Sequence, residues 1–461
     1  MRFVLFGGAP ETSIHPIVLA GLILVGLWIL FLPRRQVLQP FAAMSLIVPL
    51  GQVVMLGPAH FSVSRILLIF VWLRILMLKF GRDGREFKLR LNIVDGAVVL
   101  YALSRVVNYT VLWQQLGALN NELGTAYTTL GVYFGCRFFV RDQEDIDRAV
   151  KTLAGIAAFI AFFMLNEQLT GFNALAIFGG LPLHTAMRNG YLRSQGPFEV
   201  YLTAGAFGAT LVPLFFNLFR RGGSRLFGLI GLAAAVVIII TSRTSTAISA
   251  GMAAMAGVGC WYIRDRMRLF RWSALAGLIA LNAVMKAPVW WLVARIDLVG
   301  GNSGWHRAMI IENCVRHFSE WFLVGARYYG YWEGGDDMWD LANQYVAIAE
   351  STGLLPLLAF LAALVYCFKR IGVARKAAVG TPREWYLWLL GVALFTHLVG
   401  FFGISYFDQI SIYWYLFLAI IVAATDPRFA PGEPAERAER PPSDFDWYRP
   451  ALEEASIPAH L

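Results

Sequence analysis

The chain has 461 residues, 58% of them hydrophobic and only 15% charged, with a mean hydropathy of +0.58. A soluble protein carries roughly 25% charged residues, so a soluble enzyme is excluded. Nucleic-acid binding is excluded too, despite the net charge of +9, because the basic residues sit in short segments between apolar blocks and report topology.

The apolar residues come in blocks of roughly 17–25, the length that crosses a bilayer as a helix satisfying its own backbone hydrogen bonds. The blocks are continuous rather than alternating, which argues against an outer-membrane barrel. About thirteen spans are expected, near 16–33, 38–57, 62–79, 91–107, 122–140, 149–168, 200–219, 226–241, 245–262, 272–292, 346–368, 386–404 and 408–424. The first follows Glu11 without a basic leader or a cleavage pattern, so no cleavable signal peptide is expected.

Alternate connections are basic: Arg34 and Arg35, then Arg82 to Arg90, Arg137 to Lys151, Arg220 to Arg225, Arg264 to Arg271, and Lys369 to Arg383. The positive-inside rule puts these in the cytoplasm, the N-terminus outside and the C-terminus inside. Residues 1–425 form one polytopic membrane domain in this reading. Two external segments are long, about 170–200 and 294–345, and long loops in compact proteins are usually functional. The tail 426–461, rich in Pro, Glu and Arg, is expected to be disordered and cytoplasmic.

Within the second external segment, Asn302-Ser303-Gly304 offers caps for a helix starting near Trp305. His306, Asn313, His317 and Glu320 would share one face of it, with Trp305, Met309, Cys314, Phe318 and Trp321 as apolar surface. A short amphipathic helix on the outer membrane surface is expected; a packing helix is the alternative.

The basic residues mapped outside are arginines: Arg188, Arg193, Arg243, Arg295, Arg307, Arg316 and Arg327. Arginine stays charged and grips phosphate oxygens in a bidentate fork. Cations on the outer side oppose the topological trend, so the set points to a phosphate or pyrophosphate ligand. Salt bridges to Asp297, Glu312 or Glu320 are the simpler account of any single member. Arg193 stands in Arg193-Ser194-Gln195-Gly196-Pro197-Phe198-Glu199, a Gly-Pro turn before a span. Arg243 stands in Thr241-Ser242-Arg243-Thr244-Ser245, which fits a tight turn or a buried polar site. Acid–base candidates in the same loops are His184, His306, His317, Glu320, Asp336, Asp337 and Asp340. They make no metal motif, since His306 and His317 lack the i, i+4 spacing, and there is no Walker loop, dinucleotide fingerprint or nucleophile elbow.

Three motifs in order resemble the O-antigen ligase and polymerase superfamily: Arg193, Gly196 and Pro197 before a mid-chain span; the Ser242-Arg243 break; and a large late loop carrying Trp305-His306-Arg307. That loop closes with Asp340-Leu341-Ala342-Asn343-Gln344-Tyr345-Val346, similar to the family's histidine-asparagine-x-tyrosine segment, with Ala342 where the family has its histidine. The resemblance implies an all-α GT-C-like bundle and a glycosyltransferase needing neither metal nor cofactor. It would polymerise or ligate saccharides from an undecaprenyl-pyrophosphate donor at the periplasmic face of the bacterial inner membrane. It further implies Arg193, Arg243, Arg307 and Arg316 on the pyrophosphate, and Asp340 or His306 as the base. Asn343, His317 and Glu320 are further candidates. A saccharide or lipid acceptor, membrane lipids and other envelope polysaccharide assembly proteins are the expected partners. A transporter or flippase of a lipid-linked or anionic precursor, and a non-catalytic assembly protein, stay open beside it.

Overall fold

The computed structural model describes residues 12–57, 59–80, 90–220, 222–295, 303–332 and 339–427. The expected tail therefore lies almost wholly outside the described residues, as do Asp297, Asp336 and Asp337. Within those residues the chain is mostly helix, with two short hairpins.

Helix α1 (Pro16–Phe31) starts on His15, whose ring nitrogen accepts from the Ile17 N–H, with proline in the first turn. The block expected to span at 38–57 is not one helix. Helix α2 (Leu38–Ile47) stops before Pro49, and the chain folds back as hairpin β1 (Val53–Leu56) and β2 (Ala59–Ser62) around Gly57 at φ +62°. Proline ends the helix, and β-branched Val53 and Val54 suit the strand. Then come α3 (Val63–Phe80), α4 (Ile93–Trp113) opened by an Asn92–Asp95 capping box, α5 (Leu116–Phe139), and α6 (Gln143–Thr170), capped by Asp142 and closed by Gly171.

Hairpin β3 (Ala186–Arg188) and β4 (Tyr191–Arg193) leads into α7 (Tyr201–Arg220), α8 (Arg225–Ser242), α9 (Ser245–Gly259) and α10 (Met267–Val284). The second long loop carries α11 (Ser303–Arg316) and α12 (Phe318–Trp321). The expected span at 346–368 is broken into α13 (Gln344–Thr352) and α14 (Leu354–Ala377). Gly353 makes the break at φ +88°, so close to the second loop that a Cβ there would lie 2.6 Å from the Leu323 carbonyl. Helices α15 (Pro382–Phe401) and α16 (Gln409–Ala424) complete the described chain.

Among the described residues seven helical stretches are long and apolar enough to cross a membrane: α4, α6, α7, α8, the run Ser245–Val284 that holds α9 and α10, α14 and α15. Helices α1 and α16 are apolar but shorter. This is a helical membrane protein.

Two helices form its axis. Every residue of α16 from Ile412 to Ala424 is buried, against α5, α2, α14 and α6, as an all-round apolar helix requires. Helix α7 packs on α8, α9 and α15 through small residues. A Cβ on its Gly205 would sit 2.4 Å from Ser242 Oγ, so the α7–α8 approach depends on glycine there.

At one end of the bundle the arginines are matched by acids. Arg34 pairs with Asp145 at 2.8 Å, Arg35 with Glu144 at 2.7 Å, and Arg264 and Arg375 both reach Glu384 at 3.3 Å. The buried Arg137 holds Asp95, which also accepts from the Tyr133 hydroxyl. The opposite end gathers the β1–β2 hairpin, the α4–α5 turn, both long loops and the α15–α16 turn. The first long loop is tied in by the buried Gln52, which donates to the Phe178 and Gly179 carbonyls and accepts from the His15 N–H.

Candidate functional site

The Arg193–Glu199 segment is held from four directions. Glu167, at the end of α6, accepts from the backbone N–H groups of Gln195 and Gly196, at 2.9 Å for the latter. Asn173 donates to the Gly196 carbonyl at 2.8 Å, and Gln409 donates to the Pro197 carbonyl at 2.6 Å. Asp408 accepts from the Glu199 N–H. Gly196 takes φ +58°, which explains glycine at that place. The turn fixes Arg193, buried with its guanidinium 5.1 Å from the Tyr201 ring centroid.

Arg243 caps α8 in the left-handed conformation at φ 45°, and Thr244 caps α9 by accepting from the Ala247 N–H. Thr241, Ser242, Thr244, Ser245 and Thr246 are all buried, so the segment is both a tight turn and a buried polar site. The Arg243 guanidinium lies 4.5 Å from the Tyr191 ring centroid, and the Ser194 N–H donates to the Thr241 carbonyl. From the second loop the buried Arg307 donates to Thr246 Oγ1 at 2.9 Å. Arg193, Arg243 and Arg307 thus come together around the α8–α9 turn. Arg193 and Arg243 lean on aromatic rings rather than on carboxylates.

Arg316 stands apart. It pairs with Glu312 at 2.8 Å, and the same carboxylate takes the indole N–H groups of Trp290 and Trp291. Burial pushes the Glu312 carboxyl up, but these donors outweigh it and hold it below its ordinary value.

His306 and Asp340 do meet, through the backbone: His306 Nε2 lies 3.0 Å from the Asp340 carbonyl oxygen. A carbonyl only accepts, so Nε2 carries the proton and a neutral ring keeps its lone pair on Nδ1. Asn343 caps α13, its side chain accepting from Tyr345 and Val346 N–H. His317 stacks on Trp332 at 4.4 Å and bonds Glu320, which also receives the Trp332 indole N–H. Hydrogen bonding to His317 is the main reason the Glu320 carboxyl lies below its usual range. His184 lies against Phe172.

Helix α11 ends at Arg316, so His317 and Glu320 belong to the α12 turn and not to one face with His306 and Asn313. Helix α11 packs against the 289–295 turn and α13, its Ile310 and Cys314 in a small core with Trp321, Trp332, Val346 and Ala349. Trp305 and Phe318 stay largely exposed. Beneath it, burial pushes the Glu350 carboxyl up to about 8, with Cys314 as its hydrogen-bond partner.

A cavity of about 700 Å³ opens between α3, α4, α5, α13 and the α15–α16 turn; Glu199, just after the arginine turn, lines it, but Arg193, Arg243 and Arg307 do not. Its charged lining is Arg65, Arg105, Glu122, Glu199 and Asp408. Arg105 clasps Glu122 with two N–H bonds of 3.1 and 3.0 Å and reaches the Tyr101 hydroxyl. Asp408 accepts from Thr203 at 2.6 Å, and burial raises its carboxyl to about 6. Sequence reading assigned these residues no site role. The available signal was opposite charge in two neighbouring apolar blocks, Arg105 and Glu122 being 17 positions apart across the α4–α5 turn.

Among the described residues no three His, Cys, Asp or Glu side chains cluster as metal ligands. No protein-family model matches the sequence, and no curated protein is significantly similar to it.

Proposed function

We propose that the chain is a membrane glycosyltransferase that polymerises or ligates saccharides carried on undecaprenyl pyrophosphate, working at the periplasmic face of a bacterial inner membrane. In this reading the helices form a GT-C-like bundle of about thirteen spans, with the N-terminus outside, the C-terminus inside and the arginine end in the periplasm. The product belongs to exopolysaccharide or O-antigen assembly.

The observation that carries the reading is the meeting of Arg193, Arg243 and Arg307, from three separate segments, around the α8–α9 turn. An acceptor hydroxyl oxygen attacks the anomeric carbon of the donor sugar. The bond from that carbon to the pyrophosphate oxygen breaks, and its electron pair leaves with the pyrophosphate. The arginines stabilise the growing charge, an interaction stronger in the transition state than before it. The hydroxyl proton passes to His306 Nδ1, while the Asp340 carbonyl orients the ring through Nε2. Asp340 thus acts as a positioning residue through its backbone, and Arg316 steadies the loop through Glu312.

The test is alanine substitution at Arg193 and Arg307, scored by loss of high-mass surface polysaccharide while the protein still inserts. Normal polymer in both variants sinks the assignment. The Arg105–Glu122 pair favours a second reading, a transporter or flippase of a lipid-linked precursor, because charges within apolar helices often mark a substrate path. Movement of the precursor across liposomes without bond formation would select it.

A further inference from the structure

The cavity and the arginine turn are neighbours with opposite chemistry. The link between them is short: Glu199 follows the Arg193–Pro197 turn and lines the cavity, and Asp408 in the same lining bonds Thr203 near the start of α7. Yet the cavity offers an anion little. Its two arginines face three carboxylates, Glu122, Glu199 and Asp408. Arg105 is closed by its bidentate bond to Glu122, and Arg65 gives Nη1 to the His60 carbonyl and Nε to Thr128 Oγ1. With two arginines against three carboxylates, and one of those arginines closed on Glu122, the lining is net negative and disfavours a pyrophosphate or an acidic sugar.

The rest of the lining suits a different ligand. Tyr101, Phe360, Tyr406 and Trp414 contribute an aromatic wall, and aromatic rings pack on the apolar C–H faces of a pyranose ring. Asn121 adds an amide that both donates and accepts, and Gln344 adds the N–H donors of an amide whose oxygen already takes the Tyr406 N–H, the groups that sugar hydroxyls pair with. A volume of about 700 Å³ lies in the range of sites that bury most of a multi-ring ligand.

We infer that this cavity holds an uncharged saccharide segment, the acceptor end of the growing chain, and discriminates against acidic sugars. The inference rests on the transferase reading for the word acceptor, but not for the binding itself. Two sites then share one end of the bundle. The arginine turn takes the charged leaving group, and the cavity takes the neutral glycan whose hydroxyl attacks.

The experiment uses the full chain purified in detergent and oligosaccharides released by partial acid hydrolysis from the host's own surface polysaccharide, separated into neutral and acidic fractions. Calorimetry should show the neutral fraction binding and the acidic fraction binding roughly tenfold or more weaker. Ala347→Trp and Thr125→Trp, which project bulk into the cavity from α13 and α5, should abolish that binding and shorten the polymer in cells. Both should leave the affinity for inorganic pyrophosphate unchanged, and Ala347→Ser should behave as the unaltered protein, which separates blocking from misfolding. Equal or tighter binding of the acidic fraction overturns the inference, as does a host polymer made wholly of acidic sugars. Filled cavities that keep both binding and chain length overturn it as well. If deleting the gene leaves polymer intact while neutral oligosaccharides still bind, the transferase reading fails and the glycan site stands. If deletion abolishes polymer and neither filled variant changes binding or length, the site fails and the transferase reading stands.

Discussion

The ion-paired end of this bundle and the α8–α9 turn hold their arginines differently. At one end Arg34, Arg35, Arg264 and Arg375 are met by Asp145, Glu144 and Glu384, and Arg137 by Asp95 inside the helices. At the other, Arg193 and Arg243 rest on tyrosine rings, and Arg307 reaches a threonine hydroxyl. An ion pair already has its counter-charge, and removing one partner chiefly costs stability. A cation leaning on a ring keeps most of its field for an incoming anion. Carboxylates thus hold every arginine named at the first end, whereas at the second they hold Arg105 and Arg316 while Arg193 and Arg243 rest on rings.

The largest effect on folding should come from Asp95→Ala, which leaves Arg137 buried without its carboxylate and should cost about 3–5 kcal/mol. Thermal unfolding in detergent reads it, and an unchanged midpoint would put the two ends on the same footing. Arg307→Ala should leave the melting temperature much closer to that of the unaltered protein, yet cut the transfer rate by roughly 10²–10³. A pulse assay of polymer formation per inserted molecule checks this, and the reverse pattern, lost stability with normal turnover, would erase the distinction.

Glu350 gives a smaller effect with a definite sign. Its folded carboxyl is pushed up to about 8 by burial, from an ordinary 4.5. Between those values the native state binds the extra proton, so stability falls as pH rises from about 4.5 to 8. Glu350→Gln should flatten that slope and melt higher than the parent at pH 8, as followed by tryptophan fluorescence. A slope equal in both proteins would remove Glu350 from the second loop's support. The smallest change should be Arg35→Ala, since that pair with Glu144 is solvent-exposed and worth about 0–1 kcal/mol. A loss as large as that from Asp95→Ala would show that exposed pairs at this end carry weight as well.

Much of the candidate site was legible because its residues sit in polar interruptions of apolar blocks. Arg193 before a Gly-Pro turn, Arg243 between two helices and Arg307 on a loop helix stand out against hydrophobic neighbours. Arg316, equally visible, turned toward Glu312, four residues back on its own helix. That choice depends on Trp290 and Trp291 arriving beside the same carboxylate. Asp340 looked like a base because it is acidic, whereas the contact it makes is through a carbonyl that any residue could supply.

Taken alone, the sequence determined that this chain is a bundle of apolar helices with charged connections, because the length and hydropathy of a segment decide whether it is stable in hydrocarbon. Local caps at Asn92 and Asp142 open α4 and α6, although hydropathy placed the second of these spans only at 149–168. Tertiary structure alone decided that 38–57 would turn back as a hairpin, that 346–368 would break at Gly353, and that Arg105 and Glu122 would close on each other beside a cavity. Contacts such as Gln409 to the Val48 carbonyl, 361 positions apart, join segments whose own composition says nothing of the partner. Hydropathy names the solvent a segment prefers; only packing decides which neighbour covers it and which charge is left for a ligand.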